Sequence, residues 1–531
     1  MTSLQSVNPN LAFWLERRAR LCPNQDGIVY WHGGDQPERW TYRQLDQASR
    51  NLAGWMLQQG IRAGDRIAFL DFNDVRFVIT MFAAARVGAI FVPLNFRLSA
   101  AEIVDTVNDC RARVLIHGEQ FGAIATAVAS QCVCDFHILS QRQENLEGTA
   151  NAGTDFAAIC QSSAAASALH VNDWDDPAWL LYTSGSTGQP KGVVLSHGNV
   201  FWNTINIILI QGGFADDQVL ISAPLFHAAP IATFMESFLR GACIHLERSF
   251  DVERVLRRLA QERIMVMAGV PAMYKLIAAH PDFDDTDLSA LRAIIVGGAP
   301  VPEALIAQYR RRQVAVIHRY GLTEAAPLVT ALSPSSPLEK QMSAGLPAVF
   351  GDLRLRGPEG IVADPGQIGE IEATGPNIMR GYWNREQETR NAIRDGWLRT
   401  GDLGTLDADG YLTVVGRSKD MIISGGENVY AAEVEARLAE NSAILESAVI
   451  GVADDKWGEI VCAIISLKAG AAASAEDVLA HLQGRLARYK QPKKIIFVDT
   501  LPKNGAGKID KLRLRKIHGA ATTTDAELEN N

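Results

Sequence analysis

From Ala48 onward, short apolar runs alternate with amphipathic helical stretches, and this rhythm limits the fold of the 531-residue chain more than any other feature. Ala48 to Gln59 has helical periodicity, Gly60 and Gly64 bracket a turn, and Arg66 to Asp71 reads as a strand. Asn73 is positioned to cap a helix from Asp74 to Val87 that stops at Gly88. A strand over Ala89 to Pro93 follows. Ser99 then starts a helix with Glu102 three residues on, the spacing of a capping box, and Val114 to Ile116 is the next strand. Strand and helix in strict alternation predict parallel sheets covered by helices. The same order returns at Asp251 to Arg263, Met265 to Ala268, Leu291 to Val296 and Pro302 to Arg311. From about Phe350 the texture changes to short β units at Asp352 to Arg356, Gly369 to Ala373 and Tyr411 to Val415. The last stretch mixes strands (448–452, 461–467, 494–498) with a helix expected over Glu476 to Ala487.

Charge and cysteine content remove several function classes. With 51 Lys and Arg against 60 Asp and Glu the net charge is −9, so no nucleic-acid partner is expected. Seven cysteines at irregular spacing, with no Cys-x-x-Cys, argue against a disulfide framework or a zinc site. Cys132 and Cys134 are expected to be buried thiols. Met1 to Asn10 has no basic-then-apolar pattern, and the apolar window Val78 to Leu94 is broken by Arg86 and Pro93. No transmembrane segment is expected, and a cytoplasmic protein is the expectation.

The chemistry concentrates in Tyr182-Thr-Ser-Gly-Ser-Thr-Gly-Gln-Pro-Lys-Gly192. Hydroxyls alternate with glycines, whose backbone N–H groups approach phosphate closely, and Lys191 adds a cation. The stretch follows the apolar strand Trp179 to Tyr182, and strand ends are where open α/β sheets place ligand loops. It is not a Gly-x-x-x-x-Gly-Lys-Ser/Thr loop. Nor is it a Gly-x-Ser-x-Gly elbow, because Ser184 stands where the first Gly belongs.

Tyr182 to Gly192 resembles the phosphate-loop signature of the adenylate-forming superfamily of acyl- and aryl-CoA synthetases, peptide-synthetase adenylation domains and firefly-type luciferases. Four further signatures follow in order: Tyr320-Gly-Leu-Thr-Glu324, Thr400-Gly-Asp-Leu-Gly404, Gly416-Arg-Ser-Lys-Asp420 and Leu501-Pro-Lys-Asn-Gly-Ala-Gly-Lys508. The likeness runs from about Trp14 to Arg515 and is nearest to fatty-acyl or medium-chain acyl-CoA synthetases. It implies an α/β fold: a large N-terminal domain of helix-covered sheets plus a β-rich subdomain, over 1–416, and a small mobile α+β lid over 420–518. The implied hinge is 417–419, and 519–531 is an expected disordered tail. The implied activity is ATP-dependent ligation of a carboxylic acid to CoA through an acyl-adenylate, with Mg²⁺. The nearest alternative is an acyl-AMP ligase that passes the acyl group to a separate acyl or peptidyl carrier protein, an amine or another nucleophile.

The resemblance also implies roles. Thr183, Ser184, Gly185, Ser186, Thr187, Gly188 and Lys191 would hold the triphosphate, and Thr323 the α-phosphate. Glu324 and Thr183 would serve Mg²⁺, a hard cation that prefers oxygen. Gly298, Ala299, Pro300, Tyr320 and Gly321 would surround adenine, while Asp402 and Arg417 would meet the ribose. Lys508 would hold carboxylate and phosphate oxygens during adenylation, against the nearby Lys503, and Lys419 would be the hinge residue. Gly425 and Gly426 would admit a pantetheine arm, with CoA phosphates at Arg488, Lys490, Lys493 and Lys494. His227 would approach the substrate carboxylate.

An acyl pocket of Phe226, His227, Ala228, Ala268, Met273, Gly298 and Ala325 offers few polar groups. An amino-acid substrate would need a buried acid for its ammonium, because an unpaired buried charge is costly. A neutral-tailed fatty or aryl acid is therefore expected. Arg319, where a small or amide residue is usual in the superfamily, is open between a phosphate or substrate contact and a surface ion pair.

Overall fold

The alternation of apolar runs and helices becomes two large sheets in the computed structural model, which describes residues 8–519 except 133–136, 141–153, 163–165, 167–168, 185–189, 300, 363, 425–426, 455–456, 484 and 505–506. One sheet has eight strands. Its parallel part runs Ile90–Pro93, Arg66–Leu70, Val114–His117, His137–Ser140 and Thr154–Asp155, and Pro177–Ser184 joins parallel to Ile90–Pro93. The other has nine strands, with a parallel core of Asp26–Trp31, Cys243–Glu247, Gln218–Ile221, Val266–Gly269, Ala293–Gly297 and Ala315–Gly321. Strands such as Val114–His117, Ile90–Pro93 and Cys243–Glu247 are buried at every position, as expected of sheets covered on both faces.

The apolar window over residues 78–94 is a buried helix, Val75–Arg86, followed by a buried strand, and among the described residues no helix is long and apolar enough to cross a membrane. Ser99 and Glu102 form the expected capping box of helix Ala100–Cys110. None of the six described cysteines is in a disulfide; Cys110, Cys243 and Cys462 are buried and Cys132 is half-buried, and Cys134 lies outside the described residues.

Residues 352–417 form a six-stranded, mostly antiparallel sheet. By its contacts the chain groups into two compact units: Met1–Leu353 with Glu372–Arg399 and Gly410–Leu412, and Arg354–Ile371 with Thr400–Asp409 and Thr413–Asn531. The smaller unit contains a five-stranded sheet built on the long hairpin Ile444–Asp454 and Gly458–Leu467. Helices Ala431–Leu438 and Ala475–Leu482 pack on one face, through Val434, Leu438, Val478 and Leu482, and Lys511–His518 packs on the other through Leu514. The helix expected to reach Ala487 ends at Leu482, where Gln483 turns extended.

One expectation fails instructively. Asp74, not Asn73, caps helix Val75–Arg86, accepting from the Arg76 N–H. Asn73 is a cross-link instead. Its Nδ2 donates to the Ala223 and Glu247 carbonyls at 3.0 and 3.1 Å, and its Oδ1 accepts from the Leu225 N–H at 2.8 Å. This buried amide ties the end of one sheet to two strands of the other and holds the segment leading to His227. Asn and Asp are both good caps, so the choice between adjacent residues was not readable locally. We expect Asn73→Ala, which strands three buried backbone groups, to lower stability by about 2–4 kcal/mol in chemical denaturation.

Candidate active site

The sequence that carries the Ser/Thr/Gly run folds as a hairpin. Strands Pro177–Ser184 and Pro190–Ser196 pair antiparallel, with Thr183 opposite Lys191 and Tyr182 opposite Gly192. Gly185, Ser186, Thr187 and Gly188, between these strands in sequence, lie outside the described residues, as does the Ser184 side chain. The Tyr182 hydroxyl donates to Asp109 Oδ2 at 2.6 Å, anchoring one strand to helix Ala100–Cys110. Helix His197–Gln211 begins only after the second strand, under a Ser196 and Asn199 capping box. The Ser/Thr/Gly run is therefore flanked by two paired strands, with Lys191 on the second, and not by a helix N-terminus.

Beside the hairpin a two-residue strand, Gly381–Tyr382, pairs with Val193 and Val194. The Tyr382 hydroxyl donates to Glu324 Oε1 at 2.8 Å, and Lys191 Nζ lies 5.3 Å from the centre of the same ring. Burial first, then the negative charge of Glu324, raises the pKa of the Tyr382 hydroxyl, so its proton stays in the bond. Tyr382 thus joins two residues far apart in sequence, and the motif reading missed it. The available signal was an aromatic residue after a lone glycine in a polar, non-periodic stretch, which is weak. Glu324 keeps its Oε2 without a protein partner among the described residues, and those residues contain no cluster of three or more metal-binding side chains. That donor set suits Mg²⁺, which is typically bound by one or two carboxylates plus substrate phosphates.

Thr323 and Glu324 lie on a single 3-10 turn, Thr323–Ala325. Gly321 precedes it, where an added Cβ would overlap the Pro327 carbonyl oxygen. The loop has few ladder partners, and asparagines supply them. Asn377 Nδ2 donates to the Ala325 and Leu328 carbonyls, each at 2.7 Å, and the Met379 N–H donates to the Glu324 carbonyl at 2.8 Å. From helix His197–Gln211, Asn199 donates to the Pro376 and Ile378 carbonyls at 2.8 and 2.7 Å. Asn203 accepts from the Leu328 N–H at 3.1 Å, and Asn206 from the Phe350 N–H at 2.8 Å. Positions 199, 203 and 206 fall on one helix face.

Near the expected acid-binding side, His227 is the N-cap residue of helix Ala228–Arg240 and its ring centre lies 4.2 Å from that of Phe226. Phe96 meets Phe226 edge-on at 5.2 Å. Gly298 follows strand Ala293–Gly297 in the left-handed region, φ +82°, and it and Ala299 are exposed; Pro300 lies outside the described residues. Tyr320 is half-buried at the end of strand Ala315–Gly321. Ala268 and Ala325 are buried, and Met273 belongs to a hydrophobic core with Leu220 and Tyr274. Arg319 makes no ion pair among the described residues. Its guanidinium donates to Gln211 Oε1 and, at 3.4 Å, to Thr233 Oγ1.

The smaller unit gathers a second set. Asp402 is buried on strand Trp397–Leu406, and its Oδ1 lies 3.1 Å from Arg417 Nε. Lys508 is exposed at its surface yet crowded by protein atoms; that burial, then Arg417, pulls its ammonium pKa down, and Asp402 opposes the shift. The Lys508 backbone is held from both sides by Asn504, at 3.1 and 2.8 Å. Lys503, its sequence competitor, is paired with Glu446 at 2.8 Å. Lys419 lies in the turn Ser418–Asp420, with its carbonyl accepting from Arg515 and Asp420 paired to Arg515 at 2.8 Å. Lys490 is held by both oxygens of Glu433 at 2.8 Å and Lys493 lies 3.5 Å over the Trp457 ring, whereas Arg488 is in a short turn; Gly425 and Gly426 lie outside the described residues.

Comparison with known proteins gives these two residue sets a context. Residues 15–383 match the model of the AMP-binding enzyme family and 433–508 that of the AMP-binding enzyme C-terminal domain. A feruloyl-CoA synthase from Amycolatopsis sp. is 42% identical over 96% of this chain and 100% of its own length. The long-chain-fatty-acid–CoA ligase FadD13 of Mycobacterium tuberculosis is 36% identical over 96% of this chain and 99% of its own. The structure of o-succinylbenzoate CoA synthetase from Bacillus subtilis, in complex with its acyl-adenylate intermediate, superposes with a TM-score of 0.84 at 30% identity. It covers 94% of this chain and 97% of that one. Likeness to acid-activating ligases over nearly the whole chain leads to one assignment: the chain belongs to the AMP-binding enzyme family, as an AMP-forming acid–CoA ligase.

Proposed function

We propose that the chain joins a neutral-tailed carboxylic acid, an aryl acid before a fatty one, to CoA at the expense of ATP. The aryl preference rests on the 42% identity to a feruloyl-CoA synthase, above the 36% to a fatty-acid ligase, and on the Phe96, Phe226 and His227 rings beside the helix that begins at Ala228. The observation that carries the reaction class is the array of Lys191, Tyr382 and Glu324 at the base of the hairpin.

In the first half-reaction the acid carboxylate attacks the α-phosphorus of ATP, and pyrophosphate leaves. Two anions must meet, so the site has to offer cations and donors where charge develops. Thr183, Lys191 and residues 184–188 hold the triphosphate, and Thr323 donates to the α-phosphate. Glu324, oriented by Tyr382, and Thr183 would hold Mg²⁺, which would supply charge neutralisation on the phosphate oxygens. Tyr320, Gly321 and the segment 298–300 border adenine, and the Asp402 carboxylate accepts from both ribose hydroxyls beside Arg417. Lys508 holds the substrate carboxylate and α-phosphate oxygens. Burial and the neighbouring Arg417 lower its pKa, which makes the ammonium a readier hydrogen-bond donor.

In the second half-reaction a thiolate attacks the acyl carbon and AMP leaves. Residues 420–518 turn about 417–419 between the two steps, with Lys419 as the pivot. CoA enters past Gly425 and Gly426. Arg488 is a stronger phosphate contact than Lys490, which must first release Glu433. CoA is the acceptor in this reading. Pyrophosphate release without thioester formation, when ATP, Mg²⁺, acid and CoA are supplied, would redirect it to a carrier protein or an amine. Supplied by cytoplasmic ATP and CoA, the reaction would run in that compartment.

Two variants test the division of labour. Lys508→Ala is expected to slow acid-dependent pyrophosphate release at least about 100-fold while still converting supplied acyl-AMP and CoA to thioester. Normal adenylation by that variant would remove Lys508 from the first step. Lys419→Pro, restricting the pivot backbone, is expected to keep adenylation and lose thioester formation. Equal loss of both half-reactions would count against the pivot.

A further inference from the structure

Buried cations in the larger unit are normally matched by acids. Arg258 meets Glu247 at 3.1 Å, Arg76 meets Asp71 and Asp74 at 2.9 and 2.7 Å, and Arg240 meets Glu236 and Asp217, both at 2.8 Å. Arg319, half-buried, departs from this. Among the described residues it has no carboxylate within ion-pair distance; its two acceptors, Gln211 Oε1 and Thr233 Oγ1, are neutral. Glu236, whose charge it feels, is already engaged by Arg240. Two more donors beside it are buried and unpartnered: its own Nε–H and the Gln211 side-chain nitrogen. A half-buried cation with no acid partner and with buried spare donors is costly unless something completes it.

Its surroundings are small and partly open. Thr233 lies on helix Ala228–Arg240 one turn after Ala229, which is exposed, so both share a face. Gly297 pairs with Arg319 in the strand register, and the neighbouring Gly298 and Val270 are exposed at the strand ends. His227 starts the same helix, six residues before Thr233, a rise of roughly 9 Å. A ring joined to a carboxylate by a two-carbon link spans that length.

We propose that Arg319, with Thr233 and Gln211, binds a hydrogen-bond-accepting oxygen at the end of an aryl acid remote from the reacting carboxylate. The idea rests on the acid-activating reading above and narrows it: the pocket walls are apolar, and its far end selects oxygen. Burial, reinforced by Arg240 and opposed by Glu236, pulls the Arg319 pKa down to about 10, so the group stays charged at neutral pH. That charge accepts either a phenolic oxygen or a second carboxylate.

The test compares kcat/KM for CoA-thioester formation across four probes: cinnamate, 4-hydroxycinnamate, 4-carboxycinnamate and a straight-chain fatty acid. Wild-type enzyme should favour at least one of the two oxygen-bearing cinnamates over cinnamate by about 10- to 100-fold, a comparison that needs no variant. Arg319→Met should erase the preference while cinnamate turnover persists. Arg319→Gln, which keeps donors without charge, should retain a preference for the phenol and lose one for the carboxylate. Cinnamate used as well as both oxygenated acids, or a preference unchanged in Arg319→Met, overturns the role of Arg319 and leaves the aryl-acid reading standing. Turnover of the fatty acid with none of the cinnamates overturns both.

Discussion

Irregular backbone buried next to reacting groups has to find hydrogen-bond partners, and in this protein asparagine side chains supply them. Three segments around the active site leave the ladders: the stretch before His227, the loop carrying Thr323 and Glu324, and residues 376–379. Asn73 serves the first, Asn377 and Asn203 the second, and Asn199 the third. An orphaned buried carbonyl or N–H costs about 1–3 kcal/mol, so a loop with several such groups would rearrange rather than hold Glu324 against Tyr382. The catalytic geometry is therefore set by amide chemistry one layer behind the residues that do the work.

Charge placement follows a second logic. A chain of net charge −9 handles anionic substrates by pairing most buried arginines with acids and leaving a few cations unmatched. Lys191 faces an aromatic ring and no carboxylate among the described residues, and Arg319 faces neutral oxygens. Total charge describes the surface; the unmatched groups are the ones on which the proposed binding roles rest.

Much of the large-scale fold was legible in the chain. The βα rhythm from Ala48 to His117, the Ser99 and Glu102 cap and the β-rich change after Phe350 are all local signals, and each has its counterpart in the structure. The adenylate-forming resemblance was carried by hydroxyl, glycine and charged residues at fixed spacing, and family likeness supports it over the full length. What could not be read depended on partners distant in sequence. Nothing local distinguishes Asn73 from Asp74 as a cap; the answer lies in carbonyls 150 and 174 residues away. Tyr382 lies 58 residues from Glu324, in a strand of two residues that no periodicity could announce. Arg319 stayed open between a phosphate or substrate contact and a surface ion pair because burial of an alternating strand position depends on which helix covers that face.

The asparagine face of helix His197–Gln211 has a bearing on protein engineering. Judged as a helix alone, Asn199, Asn203 and Asn206 are poor choices, each several tenths of a kcal/mol worse than alanine or leucine. A stabilisation campaign scoring local propensity or core hydrophobicity would target these three positions early. It would produce a firmer helix under a loosened active-site loop, and a thermal-melt screen would not distinguish that product from a success.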